Sequence, residues 1–431
     1  MLVRRLVIFC VGCGICSLLV NTWLVEGLCA PVTVVSGSMA PRMLGPHRHW
    51  RCVGCGLEFN CLAESLPAAG APAICPNCGS HNPTDAGTDR AGQHVWIDRF
   101  SLAWRPLSRW EIVVFRNPED PGMLCVKRVV GLPGETVQLI DGNVLINGRI
   151  ARKTIAQQCA MGVQVYETPA ARRPDSEPDQ RWQFDPHGRW TESSGQFVHR
   201  QGSVPVDNGS IDFTEPVDWL SYRHRHTFGT EKQLDAPAIL DASPCDQTES
   251  RMLNPVSDII LRCQLRAKSS GLVYVRIRAG GDEFNVELDV TTGQGTLLHN
   301  GKRQTAMVSA LSPLNRTVQF DFVLADHQLQ LALDNQLLTD YCYQPRVIQD
   351  DTWIQEIAIG ARATELEIDR LQLFRDAYYL PAESERERDS AFGLGPDQIF
   401  VLGDNSPHSS DSRDWSQGVS AGLIVGRAIV W

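Results

Sequence analysis

From Asp258 to Phe374 the chain alternates apolar and polar residues in short runs, and this period dictates the largest part of the fold. Ile259–Arg266, Leu272–Arg278, Phe284–Leu288, Val318–Leu324, Leu329–Leu333, Ile354–Ile359 and Leu366–Phe374 each throw successive side chains to opposite faces of a strand. Gly280-Gly281, Asn300-Gly301 and Asp334-Asn335 supply turns between several of them. Such a series predicts an antiparallel β-sandwich over 258–376. Shorter β signals lie outside it. Glu111–Phe115, Leu124–Val130 and Ile399–Leu402 are β-branched runs, and Val137–Ile146 reads as a hairpin about Asp141-Gly142. The fold class is therefore mainly β.

The N-terminus is of another kind. Arg4 and Arg5 precede Leu6–Val25, a stretch without charge and about as long as a bilayer core is thick. A cleaved signal peptide is the competing reading. Leu28-Cys29-Ala30-Pro31 argues against it, because a bulky Leu stands where a small residue is wanted and Pro follows the cut. The expectation is one transmembrane helix over 6–28, with residues 1–5 in the cytoplasm and the remainder outside.

The 431 residues allow two to four domains, and a net charge of −10 argues against a nucleic-acid partner. Of 14 cysteines, Cys10, Cys13 and Cys16 fall in the apolar stretch as small packing residues. Cys52, Cys55, Cys75 and Cys78 form two C-x2-C pairs, each followed by glycine (Gly56, Gly79). Four thiolates at this spacing suit a structural zinc site, and two disulfides are the rival in an exported chain. Cys61, His47, His49 and His81 stand nearby as bystanders.

Three separated motifs carry chemistry. S-G-S-M at Ser36–Met39 presents hydroxyls on a glycine-containing turn. K-R-V-V-G-L-P-G-E at Lys127–Glu135 puts a lysine in an apolar strand, where Cys125, Lys127 and Val129 share one face. G-D-N-S-P-H-S-S-D-S-R at Gly403–Arg413 ends in an Asp/Arg pair. A serine hydroxyl needs a base, and no His-centred triad is spelled out, so the lysine is the candidate. It can serve only if burial lowers its pKa from ~10.4.

Together these segments resemble the signal peptidase I family, membrane-bound Ser/Lys endopeptidases that remove secretory signal peptides. The resemblance covers 1–46, 94–150 and 396–431, about a third of the chain. It implies Ser38 as nucleophile, Lys127 as general base, and the Ser38 N–H with the Ser36 hydroxyl as oxyanion hole. It further implies that Ser409 hydrogen-bonds the lysine, that Asp411 and Arg413 form a supporting ion pair, and that Val34, Met39 and Val126 line pockets for small side chains. No cofactor is implied for catalysis. The partners implied are preprotein signal peptides and the lipid bilayer, with the active domain on the outer face of the cell membrane. Two departures stand out. Ser406-Pro407-His408 replaces the family's R-D-N, and Arg109-Trp110-Glu111 replaces its R-G-D.

Two insertions interrupt the resemblance: 47–93, which resembles a zinc ribbon, and 151–395, which runs as an irregular start (151–257), the sandwich and a linker (377–395). The sandwich looks like laminin-G or lectin-like folds in general texture, which implies a glycan or protein ligand. Self-cleaving repressors of the SOS type share the Ser/Lys chemistry but lack the anchor and the last motif. An inactive scaffold that binds through its sandwich is the alternative from another functional class.

Overall fold

The computed structural model describes residues 2–20, 29–68, 70–168, 181–193, 195–201, 216–228, 232–235, 238–245, 247, 251–304, 314–346, 355–381, 391–415 and 418–429. Leu2–Leu19 forms helix α1, whose Leu6, Ile8, Phe9 and Leu18 are exposed. Among the described residues no helix is long and apolar enough to cross a membrane. The predicted anchor runs on into 21–28, outside the described residues.

The core sheet gathers seven strands from the three regions of family resemblance. These are β1 (Cys29–Thr33), β2 (His94–Asp98), β3 (Ile112–Arg116), β4 (Leu124–Gly131), β5 (Gln398–Leu402), β6 (Val419–Ser420) and β7 (Ile424–Ile429). Their spatial order is β1-β2-β7-β3-β4-β5-β6, and every pairing is antiparallel. The β-branched runs that predicted β3, β4 and β5 become its centre, where Val113, Phe115, Val129 and Val401 are fully buried. A second sheet carries the predicted hairpin, with Ile140 opposite Asn143. Asp141 and Gly142 both have positive φ (49° and 81°), as a two-residue turn matched to strand twist requires.

The sandwich is built of two antiparallel sheets sharing one hydrophobic core, and it is larger than the periodic segment. Val163–Glu167, Trp190–Ser193 and Gln196–His199 join one sheet, and Trp182–Phe184 and Asp218–Tyr222 join the other. The irregular start predicted over 151–257 is thus corrected in part. Strands of three to five residues are too short to show a period, and aromatic residues (Trp182, Trp190, Phe197, Tyr222) carry their burial instead. The same stretch opens with α2 (Ile155–Met161), capped by Thr154 and Gln157 in a reciprocal box.

Sandwich and core are riveted at Lys153. Its buried ammonium bonds Asp326 and Asp376 at 2.8 and 2.9 Å and lies 4.9 Å over the Trp110 ring. Trp110 has φ 73°, a left-handed conformation that costs a bulky residue of order 1–3 kcal/mol. It occupies the middle of the motif where the family resemblance implies glycine, so burial of the ring against Lys153 offsets strain that a glycine would not incur.

Candidate active site

Lys127 lies midway along β4, opposite Val113 of β3, and is 5% exposed. Burial pushes its amine below the ordinary lysine value, and the Asp411 carboxylate is the chief opposing influence. Among the described residues the amine makes no hydrogen bond or ion pair. Its neighbour Arg128 has the opposite fate. The guanidinium is equally buried but bonds Asp404 at 2.5 and 2.6 Å and the Trp110 carbonyl at 2.7 Å. Alternation along the strand therefore separates a permanently paired cation from a buried lysine that lacks a partner among the described residues.

The Ser36–Met39 turn follows β1 and packs against the loop that leaves β5. Leu402 of β5 pairs with Arg128, the residue after Lys127, and Gly403 follows directly from that pair. A Cβ on Gly403 would come within 2.2 Å of Ser409 Oγ and 2.4 Å of the Ser38 carbonyl oxygen, so only glycine admits this approach. The Ser36 and Ser38 hydroxyl oxygens are 3.5 Å apart. The Ser38 carbonyl accepts from the Asn405 N–H at 3.0 Å. Gly37 itself packs on Leu62 of the first insertion, where a Cβ would stand 2.1 Å from a methyl carbon.

Behind the turn, the 403–413 loop is tied down by buried charge. Arg413 donates to Asp411 at 2.8 and 2.9 Å, and its guanidinium also donates to the carbonyls of Leu380, Ser406 and Ser409. Ser409 Oγ donates to Asp411 at 2.7 Å, whereas the resemblance implies a bond to the lysine. The carboxylate two residues on is the stronger acceptor and captures the hydroxyl. Val34 and Met39 are buried together with Met43 and Val95, and Val126 packs on their cluster.

Sequence reasoning missed the burial of Arg128, whereas Asn405, expected to shape the turn, does hold it. The signal available for that burial was an arginine in an otherwise β-branched stretch of strand (Val126–Val130, apart from Lys127) and an aspartate at the start of the last motif.

The four cysteines of the C-x2-C pairs converge. Their sulfurs all lie within 4.8 Å of one another, with Cys52–Cys78 at 3.5 Å and Cys55–Cys75 at 3.8 Å. All four are free thiols, and these separations far exceed the ~2.05 Å of a disulfide. They match the roughly 3.8 Å edge of a tetrahedron with ~2.3 Å metal–sulfur bonds. The two segments fold alike. The N–H of Gly56 and Gly79 each bond the carbonyl of the first cysteine of the pair (2.9 and 2.8 Å), and both glycines have φ near 70°. His47 and His49 instead bond Gly45 and Asn60.

Comparison with known proteins gives matches over part of the chain. The family described as "Signal peptidase, peptidase S26" matches residues 79–209. Signal peptidase I V of Bacillus subtilis is 34% identical over 70 residues, 16% of this chain and 38% of that protein. Signal peptidase I of Rickettsia typhi is 44% identical over 50 residues, 12% of this chain and 19% of that protein. The chain thus spans well under half the length of the curated relatives it matches. Among solved structures, the carbohydrate binding module CBM66 from Bacillus subtilis aligns at 10% identity over 45% of this chain and 95% of its own, with a TM-score of 0.27. A protein with a galectin-like fold from Bacillus subtilis aligns at 8% identity over 50% of this chain and 96% of its own, with a TM-score of 0.30. These scores fall below the level of a shared fold. Over residues 79–209 the chain matches the family described as signal peptidase, peptidase S26, and its short curated matches are signal peptidases I.

Proposed function

We propose that this chain is a serine endopeptidase that removes signal peptides from exported preproteins, with Ser38 as nucleophile and Lys127 as general base. The observation that carries the reading is a buried lysine without a partner, beside the loop on which the serine turn rests. A neutral amine takes the Ser38 proton as Oγ attacks the scissile carbonyl. The Ser38 N–H and the Ser36 hydroxyl stabilise the developing oxyanion. Collapse expels the new N-terminal amine, protonated from the lysine, and leaves an acyl-enzyme. Lys127 then draws a proton from water, whose attack releases the signal peptide. Hydrogen bonds of this kind commonly tighten only with substrate present, which accommodates an amine that touches no hydroxyl here.

The substrate would extend along the apolar cluster of Val34, Met39 and Val126, where small side chains fit best. Anchorage through Leu6–Val25 would set this site at the outer membrane surface, and resistance to alkaline extraction tests it. The Cys52/Cys55/Cys75/Cys78 cluster would hold zinc in a closed four-sulfur site, so the metal organises the first insertion and takes no part in hydrolysis.

The deciding experiment is cleavage of a model preprotein by the full chain. Wild type should cleave, and both Ser38→Ala and Lys127→Ala should lose cleavage while still folding. Equal processing by wild type and Ser38→Ala would sink the reading, and no processing by any of the three would favour a binding scaffold.

A further inference from the structure

The large insertion reaches the nucleophile turn through one hydroxyl. Ser243, 2% exposed, donates to the Asn405 side-chain oxygen at 3.0 Å. With its oxygen so occupied, the Asn405 amide turns its NH2 toward the Gly37 carbonyl and donates to it at 3.2 Å. The same residue's backbone N–H holds the Ser38 carbonyl. Asn405 is 1% exposed and therefore clamps the peptide planes on both sides of Ser38.

The geometry of the peptide group gives this clamp its meaning. In a trans peptide the C=O and the following N–H are coplanar and point in opposite directions. Gly37 O and Ser38 N–H share one such plane. Fixing Gly37 O with the Ala40 N–H (3.0 Å) and the Asn405 NH2 fixes the direction of the Ser38 N–H on its other side. That N–H is the proposed oxyanion donor. A donor misaimed by a rotated plane loses most of its effect, since its value depends on where it points before charge develops.

We infer that Ser243, a residue of the insertion, and Asn405 are positioning residues that aim the Ser38 N–H at the oxyanion. The inference rests on the peptidase reading. It makes the insertion part of the machinery rather than an appended module, and neighbouring contacts run the same way. Cys245 accepts from Leu62 N–H at 3.1 Å and shares a buried cluster with Ala40 and Leu44 beside the turn.

The test is steady-state cleavage of a model preprotein by full-length wild type, Ser243→Ala, Ser243→Thr and Asn405→Asp, with thermal melting of each. Asn405→Asp keeps the shape but sets an acceptor against Gly37 O. Its kcat should fall about 10²-fold, the scale of a lost oxyanion donor, with KM nearly unchanged. Ser243→Ala should lower kcat by roughly 3–10-fold, and Ser243→Thr, which keeps the hydroxyl, should restore it. If Asn405→Asp does not fold, the Ser243 pair decides alone. A kcat for Ser243→Ala equal to wild type, or a loss that Thr fails to restore, overturns the inference while leaving Ser38-dependent cleavage intact. Absence of Ser38-dependent cleavage in wild type overturns both together.

Discussion

Gly403→Ala puts a close backbone approach of the site to a measurable test. The new methyl would lie 2.4 Å from the Ser38 carbonyl oxygen, and 2.2 and 2.5 Å from Ser409 Oγ and Cβ. Ser409 can rotate its hydroxyl away, at the expense of its bond to Asp411. The Ser38 carbonyl is backbone and is held by Asn405. Bringing 2.4 Å out to the 3.0 Å that real Cβ contacts respect moves it by at least about 0.6 Å. A misplacement near 1 Å can cost about 10²-fold in rate, so kcat should fall roughly 10- to 100-fold. Stability should change less. Overpacking costs about 1–3 kcal/mol, and loss of glycine's freedom in the unfolded chain returns about 0.4–1 kcal/mol where φ is compatible. Gly403 is not among the positive-φ glycines, so the compatible case applies. A net loss near 1–2 kcal/mol would appear as a small fall in melting temperature beside a large fall in kcat. Gly393→Ala is the control, since a methyl there meets nothing within 4 Å. The assay is initial-rate cleavage of a model preprotein with parallel thermal melts. A Gly403→Ala variant whose kcat lies within threefold of wild type would refute the close apposition of turn and loop.

Because burial depresses the Lys127 pKa, and on the proposed reading only the neutral amine acts as base, kcat/KM should rise with pH through a limb below ~10.4, measured in wild type. The accompanying stability change has the same sign. Between the folded and unfolded pKa the unfolded chain binds more protons, so stability also rises with pH there, and Lys127→Met should abolish that slope in denaturant titrations. Asp404→Asn strands a buried Arg128 without its counter-charge and should cost about 3–5 kcal/mol by chemical denaturation. Cys75→Ser removes a sulfur that is wholly buried in the four-cysteine cluster. It should abolish bound zinc by elemental analysis and lower the melting temperature, and because Leu62 backs Gly37 it should also reduce kcat.

How much of this was legible in the sequence follows from the range of the forces involved. Local rules sufficed for the Asp141-Gly142 turn and for β4. The cysteine spacing indicated a cluster, and the glycine after each pair told of its knuckles, because a positive φ is needed there whatever lies around it. The motif serines and Lys127 could be named from resemblance. Their surroundings could not. That Ser409 would prefer Asp411 to the lysine depends on a competition among acceptors within the loop. Arg128 reads as a surface residue until the partner 276 positions away is known. Ser243 carries no signal at all, since a lone serine in a Pro- and Asp-containing segment describes most loops. The short aromatic strands of 182–222 were hidden for a related reason. Gln196–His199 and Asp218–Tyr222 pair with the distant segment 355–375, and Trp190–Ser193 and Trp182–Phe184 then pair with those two strands, so the local sequence records little of the sheet they join.

The pairing of β4 with β5 also sets the order in which the molecule can be made. These neighbours in the core sheet belong to regions of the chain parted by the whole sandwich. Closing so long a loop from an unstructured state is entropically slow. A folded sandwich shortens it, because Arg149–Ile150 and Phe392–Gly393, which flank the insertion, end in the same small sheet. A sandwich that folds first would therefore speed the docking of β5, which carries Gly403 to the serine turn. On the proposed peptidase reading, a chain assembled in this sequence would stay inert until that last strand is in place.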